Sequence, residues 1–487
     1  MTILRRRRAR PAEPSSPAAR FRALLSPERV VDSALERRVY SRDGSIEFGD
    51  AGLVVLPEST DEVVACVQLA NELGLDVVPR GSGTGLAGGA VPLEGSLVVA
   101  LSRMTRVLEV DADVPCAWVE PGVLNLDISS AVAHLGLHYA PDPSSQAACS
   151  IGGNVGTNAG GPHCLSYGVT AQHVLAVEVV LGDGEVLRLG GTAPDPPGYD
   201  LRGMVVGSEG TLGIVTATCV RLTRNPAHIK TMLIDFPTIR SASDAVSGII
   251  AGGVVPAAIE LMDRATTNAV EQFVHADLPI EAAAVLIVEV DGDEAAVAAQ
   301  AEAVEWIATE VGARRVQTAR DEDQRAIWWK ARKSAFGAVA RIAPNYFLHD
   351  CVVPRTHLAE ILETIGEIGT RHDLQILNVF HAGDGNLHPL IAFDLRDPEQ
   401  LERVRRAGDE IVTACLEAGG SLSGEHGVGI EKRDFMRLAF EPLDLDAQAR
   451  ARDAFDPAGR MNPHKVLPEG SRCAEAVPPD VARGEVG

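Results

Sequence analysis

An Asp-Gly pair flanked by strand-forming runs is a strong local instruction for a β-hairpin. Here it sits inside His381-Ala382-Gly383-Asp384-Gly385-Asn386-Leu387-His388. With Asp384-Gly385 as a two-residue turn, Gly383 faces Asn386, Ala382 faces Leu387 and His381 faces His388. Directly opposed residues share a sheet face with Cβ atoms roughly 4.5–5.5 Å apart, which lets two imidazoles close on one metal ion. Further along, Ser423-Gly424-Glu425-His426-Gly427 offers a carboxylate and a third histidine. His381, His388 and Glu425 make a divalent-metal ligand set with room for a substrate oxygen. The plainer alternative is a Gly-rich turn with surface histidines. Against it, six of the chain's 13 histidines (349, 357, 372, 381, 388 and 426) fall between 349 and 426.

A chain of 487 residues, 46% hydrophobic, has material for two or three domains with sizeable cores. Aromatic residues are only 4%, so those cores are built from Val, Leu, Ile and Ala. A net charge of −23 argues against a nucleic-acid partner, which needs basic surface. The 8 cysteines show no C-x-x-C spacing, so no zinc ribbon or ferredoxin-type cluster site is visible, and the pattern fits a reducing cytoplasm. No apolar run approaches the roughly 20 residues of a membrane helix. Arg5-Arg6-Arg7-Arg8 and Arg10 precede no apolar stretch, so the start is not a secretory signal. A disordered tail is expected there, with weak contact to an anionic membrane surface or acidic partner as the sharper alternative.

Residues 1–45 read as a basic, Pro/Ser/Ala-rich tail and lead-in, disordered over 1–20. From 46 to 226 short strands and helices alternate without a regular βαβ period. Leu53–Leu56 is a strand, Ser59 opens a capping box with Glu62, and the following helix stops at Gly74. Further strands are read at 75–79, 97–101, 116–120, 174–180 and 185–189, the last two joined across Gly182-Asp183-Gly184. Residues 227–440 read as a sheet covered by helices. Residues 441–468 are a C-terminal segment, and 469–487 a disordered tail.

Three glycine-rich clusters fall in the first domain. The loop Arg80-Gly81-Ser82-Gly83-Thr84-Gly85-Leu86 follows a strand, and its freedom for close backbone approach suits wrapping a diphosphate. It lacks the G-x-G-x-x-G-then-helix context of a Rossmann unit and the Lys of a Walker loop. The second cluster contains Ser150, Gly152, Gly153, Asn154, Thr157, Asn158 and Gly160, small residues and hydrogen-bonders able to lie flat on a planar cofactor. The third contains Glu209, Gly210, Gly213 and Ile214. Any one could be a structural loop; three in one domain point to a large nucleotide cofactor.

These clusters, with Pro141-Asp142-Pro143, resemble the FAD-binding domain of the vanillyl-alcohol oxidase / p-cresol methylhydroxylase (PCMH) flavoprotein superfamily. His381–His388, Ser423–Gly427 and the segment from Ala454 to Pro463 resemble the C-terminal FAD-linked oxidase domain of its 2-hydroxy-acid dehydrogenases. The likeness is greatest to the flavin subunits of bacterial glycolate oxidases, carried also by Arg332–Phe336, Asp350–Arg355 and Asn378–His381, and covers about 45–468. D-lactate and D-2-hydroxyglutarate dehydrogenases are near relatives. The resemblance implies an α+β chain: a PCMH-type FAD-binding domain over 46–226, and a cap domain with a helix-covered antiparallel sheet over 227–440, the segment 441–468 returning to the FAD domain. It adds Pro141, Asp142 and Asn462 to the FAD-binding residues.

By the same likeness His381, His388 and Glu425 hold a divalent metal, expected to be zinc. His426 is the catalytic base, and Arg332 and Asn386 bind substrate. The loop 80–89 has no His or Cys, and the resembling dehydrogenases hold FAD without a covalent bond. His163 and Cys164 lie just past the second cluster. D-2-hydroxyglutarate enzymes carry a Lys just before the segment matching Asp350; Leu348-His349 stands there instead, which favours a short monoacid over a diacid. The implied reaction oxidises glycolate or D-lactate to the 2-oxo acid. Electrons then leave to an iron–sulfur subunit, a quinone or a cytochrome, with peripheral membrane association through a partner and a homo-oligomer also expected. A zinc metallohydrolase would leave the glycine clusters unexplained. A non-catalytic flavin-binding subunit would have no need of His426 or the metal set.

Overall fold

The computed structural model describes residues 16–193 and 197–470. The tail expected before 21 begins to be structured at Ser16, which caps the helix Pro17–Leu24. That corrects the compositional reading: Phe21 and Leu25 are apolar anchors in a segment that is otherwise polar and Ala-rich, and both are buried. The lead-in also supplies a strand, Val30–Val31, which pairs antiparallel with Val54 and Val55. The basic run Arg5–Arg8 and the end from 471 lie outside the described residues.

The helix Thr60–Leu73 starts on Ser59, whose Oγ accepts from the Glu62 amide at 3.3 Å, and stops at Gly74 with φ +68°. The other half of the expected capping box is absent. The Glu62 carboxylate takes the Glu58 amide and the Arg29 guanidinium instead, because Arg29 offers a charged two-point contact. This helix covers a four-stranded sheet in which Leu53–Val55, Leu97–Ala100 and Val77–Arg80 run parallel. Each of these strands is almost wholly buried, as expected for parallel strands covered on both faces. A five-stranded antiparallel sheet follows, ordered Val107–Asp111, Cys116–Val119, Ile214–Arg221, Val174–Val180, Val186–Gly190.

The second domain is a nine-stranded sheet whose pairings are all antiparallel. Helices Ile239–Ala251, Glu294–Glu310, Leu358–His372 and Pro398–Glu417 contribute to the larger core on one face. Helices Arg264–Val274, Glu322–Lys333 and Ala335–Val339 contribute to the other. The chain then forms the helix Pro442–Phe455 and runs back to the first domain, where Met461 bridges Val77 and the Asn462 amide donates to the Val77 carbonyl at 2.7 Å. No helix among the described residues is long and apolar enough to cross a membrane.

Candidate active site

The histidine hairpin forms with a different register from the one the Asp-Gly pair suggests. His381 pairs with Asn386, leaving four residues, Ala382–Gly385, in the turn. Gly385, at φ +72°, presses against the 353–355 backbone, and its carbonyl accepts from the Val353 amide. The neighbouring chain thus helps fix the turn. The displacement is two residues, and because side chains alternate faces with period two, His381 and His388 still share a face. They meet on the diagonal, ring centroids 5.0 Å apart.

Each partner arrives from a distant strand or loop. Glu260 lies opposite His381 in the ladder, with Oε1 2.7 Å from His381 Nδ1. Its other oxygen is 2.6 Å from Arg332 Nε. Glu425 Oε1 stands 3.2 Å from His381 Nε2 and 3.4 Å from His388 Nε2. The Glu425 loop is shaped by Asp350. Its Oδ2 accepts from Ser423 Oγ at 2.6 Å and from the amides of Gly424, Glu425 and His426 at 3.0–3.2 Å. Lys432 Nζ in turn donates to the Asp350 carbonyl at 2.6 Å. The His426 ring stacks on His388 at 5.0 Å.

Burial pushes the His381 imidazole toward neutrality, but Glu260 and Glu425 outweigh it and raise its pKa to about 10. Burial likewise opposes ionisation of Glu425, yet the surrounding histidines bring it down to about 2. At His426 burial dominates and the pKa falls to about 4, so the ring is neutral near pH 7 and free to accept a proton.

A divalent ion fits the His381–His388–Glu425 group. One donor atom from each lies within 4.8 Å of the others. Both His388 ring nitrogens are buried without a hydrogen-bond partner, an arrangement a metal bond would relieve. Glu260 on the far nitrogen of His381 is the usual outer carboxylate that fixes a ligating imidazole. Asp350, His388 and His426 form an overlapping group of similar spacing.

Glu425 and His426 open onto a cavity of about 520 Å³ between the domains. Its first-domain wall includes Arg80, Gly81, Ser82, Gly83, Thr84, Gly85 and Leu86, then Ser150, Gly152, Gly153, Asn154, Thr157 and Gly160, then Glu209, Gly210 and Gly213. The loops are tied together: Ser150 Oγ accepts from the Ser82 amide at 3.2 Å. At Gly160 a Cβ would fall 2.7 Å from Glu425 Oε2, so only glycine lets the two domains approach here.

Five residues expected at the cofactor do not line the cavity, because local contacts claim them. The Pro141 carbonyl accepts from Asn125, Asp142 binds His163 and Lys333, and the Asn158 side chain accepts from the Ala171 amide. Ile214 is core, and the Asn462 amide group donates to the carbonyls of Gly89 and Glu209. Arg332 and Asn386 are also behind the cavity surface. Arg332 is fully buried against Glu260, with Nη1 and Nη2 unpartnered, and Asn386 Oδ1 is buried and unpartnered. His163 and Cys164 do not line the cavity either.

Sequence reasoning missed Glu260, and Lys333, Phe336 and Tyr346 on the second-domain wall. A carboxylate inside the fully buried strand Ala258–Asp263 was the available signal for Glu260, since a buried charge needs a partner. Lys333 and Phe336 lie in the Arg332–Phe336 stretch that carried the resemblance but were given no role there, and nothing local marked Tyr346.

Known proteins share both halves of this arrangement. Residues 51–190 match the FAD binding domain, and residues 225–466 match the C-terminal domain of FAD linked oxidases. The chain is 45% identical to glycolate oxidase subunit GlcD of Escherichia coli (strain K12), covering 87% of this chain and 85% of that one. It is 41% identical to GlcD of Bacillus subtilis (strain 168), covering 92% and 95%. With a D-lactate dehydrogenase of Anaerostipes hadrus it shares 31% identity over 91% and 95%. In fold it superposes on p-cresol methylhydroxylase with a TM-score of 0.80 at 17% identity, covering 93% and 96%. The two domains, the cavity between them and these matches establish that the chain belongs to the FAD-linked oxidases, as an oxidoreductase of the group containing the GlcD subunits and D-lactate dehydrogenases.

Proposed function

We propose that this chain oxidises a short 2-hydroxy monoacid, glycolate first and D-lactate second, to the 2-oxo acid on a non-covalently held FAD. The observation that carries the reading is the placement of His426, neutral and beside the His381–His388–Glu425 group, on the wall of the cofactor cavity. The names of the GlcD and D-lactate dehydrogenase relatives support the substrate class.

Bound flavin would supply the hydride acceptor, and His381, His388 and Glu425 would hold a divalent ion, with a donor set that suits zinc, which would acidify the substrate hydroxyl. The residues do the rest. Arg332, although buried behind the cavity surface, keeps two terminal nitrogens without a partner that match a bidentate acid, which supports it as the carboxylate anchor once substrate reaches past the wall. Asn386, with its buried unpartnered oxygen, orients the hydroxyl from beside His381. His426 takes the hydroxyl proton at a ring nitrogen. Asp350 keeps His426 and Glu425 in place through their amides. The only histidine among the cavity-lining residues is His426 and none is cysteine, in keeping with a cofactor held without a covalent bond. A partner subunit or a quinone then takes the electrons.

The test is anaerobic flavin bleaching with a panel of hydroxy acids, which bypasses the acceptor. Glycolate or D-lactate should give the highest efficiency. A preference for D-2-hydroxyglutarate or D-malate would sink the monoacid assignment, and a colourless protein would sink the flavoenzyme reading.

A further inference from the structure

Arg325, Trp329 and Lys333 are spaced four apart on the helix Glu322–Lys333, so they form one stripe. The first two grip Glu289. Arg325 donates to both of its oxygens at 2.9 Å and Trp329 Nε1 donates at 2.7 Å. The third, Lys333, reaches the cavity wall with Nζ 3.4 Å from Asp142 Oδ2 in the other domain. Asp142 and Glu289 are joined by His163, whose ring nitrogens lie 3.0 Å and 3.3 Å from them. The Lys333 ammonium is therefore fixed from both domains.

It lines the same cavity as Glu425 and His426. A Cβ on Gly160 would touch Glu425 Oε2 at 2.7 Å, and one on the next residue, Gly161, would touch Asp142 Oδ1 at 2.9 Å. Glu425 and Asp142 thus flank consecutive residues, and Lys333 stands on Asp142. The other cavity-lining guanidinium or ammonium, Arg80, is turned to the carbonyls of Ala90 and Arg42. Burial works to neutralise His163, but Asp142 and Glu289 raise its pKa to about 10, so it is cationic. Arg325, His163 and Lys333 face the carboxylates Asp142 and Glu289, with Glu322 also on Arg325 at 2.7 Å, and Lys333 is the cation of this cluster that reaches the cavity wall.

We propose, resting on the flavoenzyme reading above, that Lys333 is the counter-charge for the negative charge deposited on the flavin when it is reduced. In the balanced step the substrate Cα–H bond breaks and its hydrogen passes to the flavin with both bond electrons, the hydroxyl proton passes to His426, and the C–O bond becomes C=O. The acid is oxidised, the flavin is reduced and gains one negative charge, and a fixed ammonium favours that state over the oxidised one.

The test is the two-electron midpoint potential of the bound FAD without substrate, measured against a reference dye in wild type, K333M, K333R and D142N, with FAD content assayed in each. K333M should lose about tenfold in its preference for reduced over oxidised flavin, equivalent to about 30 mV downward. K333R should restore most of it, and D142N, which frees Lys333 of its own partner, should shift the potential upward. An unmoved potential in FAD-loaded K333M overturns the proposal, as does a raised KM with an unmoved potential, which would make Lys333 a substrate anchor. If K333M loses its FAD, D142N decides: an unmoved or lowered potential overturns the assignment. Substrate preference does not enter this measurement, so failure of the monoacid choice is read separately.

Discussion

The two walls of the cavity are built on opposite principles. The first-domain wall is mostly backbone and small side chains, with loops tied by contacts such as Ser150 Oγ on the Ser82 amide. The second-domain side rests on a chain of buried charges: Arg332 on Glu260 at 2.6 Å, Glu260 on His381 at 2.7 Å and His381 on Glu425 at 3.2 Å, with His388 3.4 Å from both Glu425 and Asp350. A wall of amides accommodates a cofactor by shape and many small contacts. A wall of paired charges stakes much on each residue, because removing one partner strands the other in a low-dielectric setting. The two sides should therefore answer mutation very differently.

The largest effect is expected at His426. His426→Ala should slow flavin reduction about 10²–10⁴-fold, the usual contribution of a general base, with FAD still bound. Stopped-flow bleaching measures it, and reduction at the wild-type rate would make His426 structural. Glu260→Gln should come next, weakening metal affinity about 10–100-fold by releasing the outer face of His381. Metal content after graded chelation checks it; unchanged affinity would detach Glu260 from the metal group. On the other wall, Ser150→Ala removes one neutral hydrogen bond worth about 0.5–1.5 kcal/mol and should raise the FAD Kd only a few-fold to about tenfold. A loss as large as that at Glu260 would erase the contrast between the walls.

The smallest effect concerns the seam between the domains. The His163 pKa is raised to about 10, so its stabilising contribution is complete below the unfolded value of roughly 6.5 and fades as pH rises toward 10. Wild-type Tm should decline across that window, and His163→Gln should flatten the decline. The facing carboxylate, Glu289, is shifted the other way: burial opposes ionisation, but His163 and Arg325 overcome it. Its contribution is present above about pH 4.3 and is lost on acidification. Equal slopes in wild type and variant would show that His163 does not hold the seam.

The same contrast decides what could be read in advance. Glycine clusters are local, so the loops that line the cavity were legible, as were the helix Thr60–Leu73 and the strand–helix order of the cap. The shared face of His381 and His388 was legible too, since alternation survives a two-residue change of register. The register itself was not, because it depends on contacts that Gly385 makes with the 353–355 backbone. Glu260 lies 121 residues from the histidine it orients and is paired with it only by the ladder. Lys333 reaches a carboxylate 191 residues away in the other domain.

The returning C-terminal segment has a consequence for synthesis. Asn462 holds the carbonyls of Gly89 and Glu209, and Lys465 Nζ donates to the Val91 carbonyl at 2.6 Å, so two loops beside the cavity are fastened by residues made 253 to 374 positions later. Contacts this far apart in sequence are slow to form. In a growing chain the early strands can pair first, but these loops stay untied until the segment holding Asn462 and Lys465 has been made and has folded back. Flavin loading thereby reports on whether the returning segment is in place: a chain cut before the helix Pro442–Phe455 would keep every cavity-lining residue and still lack the ties that hold their loops.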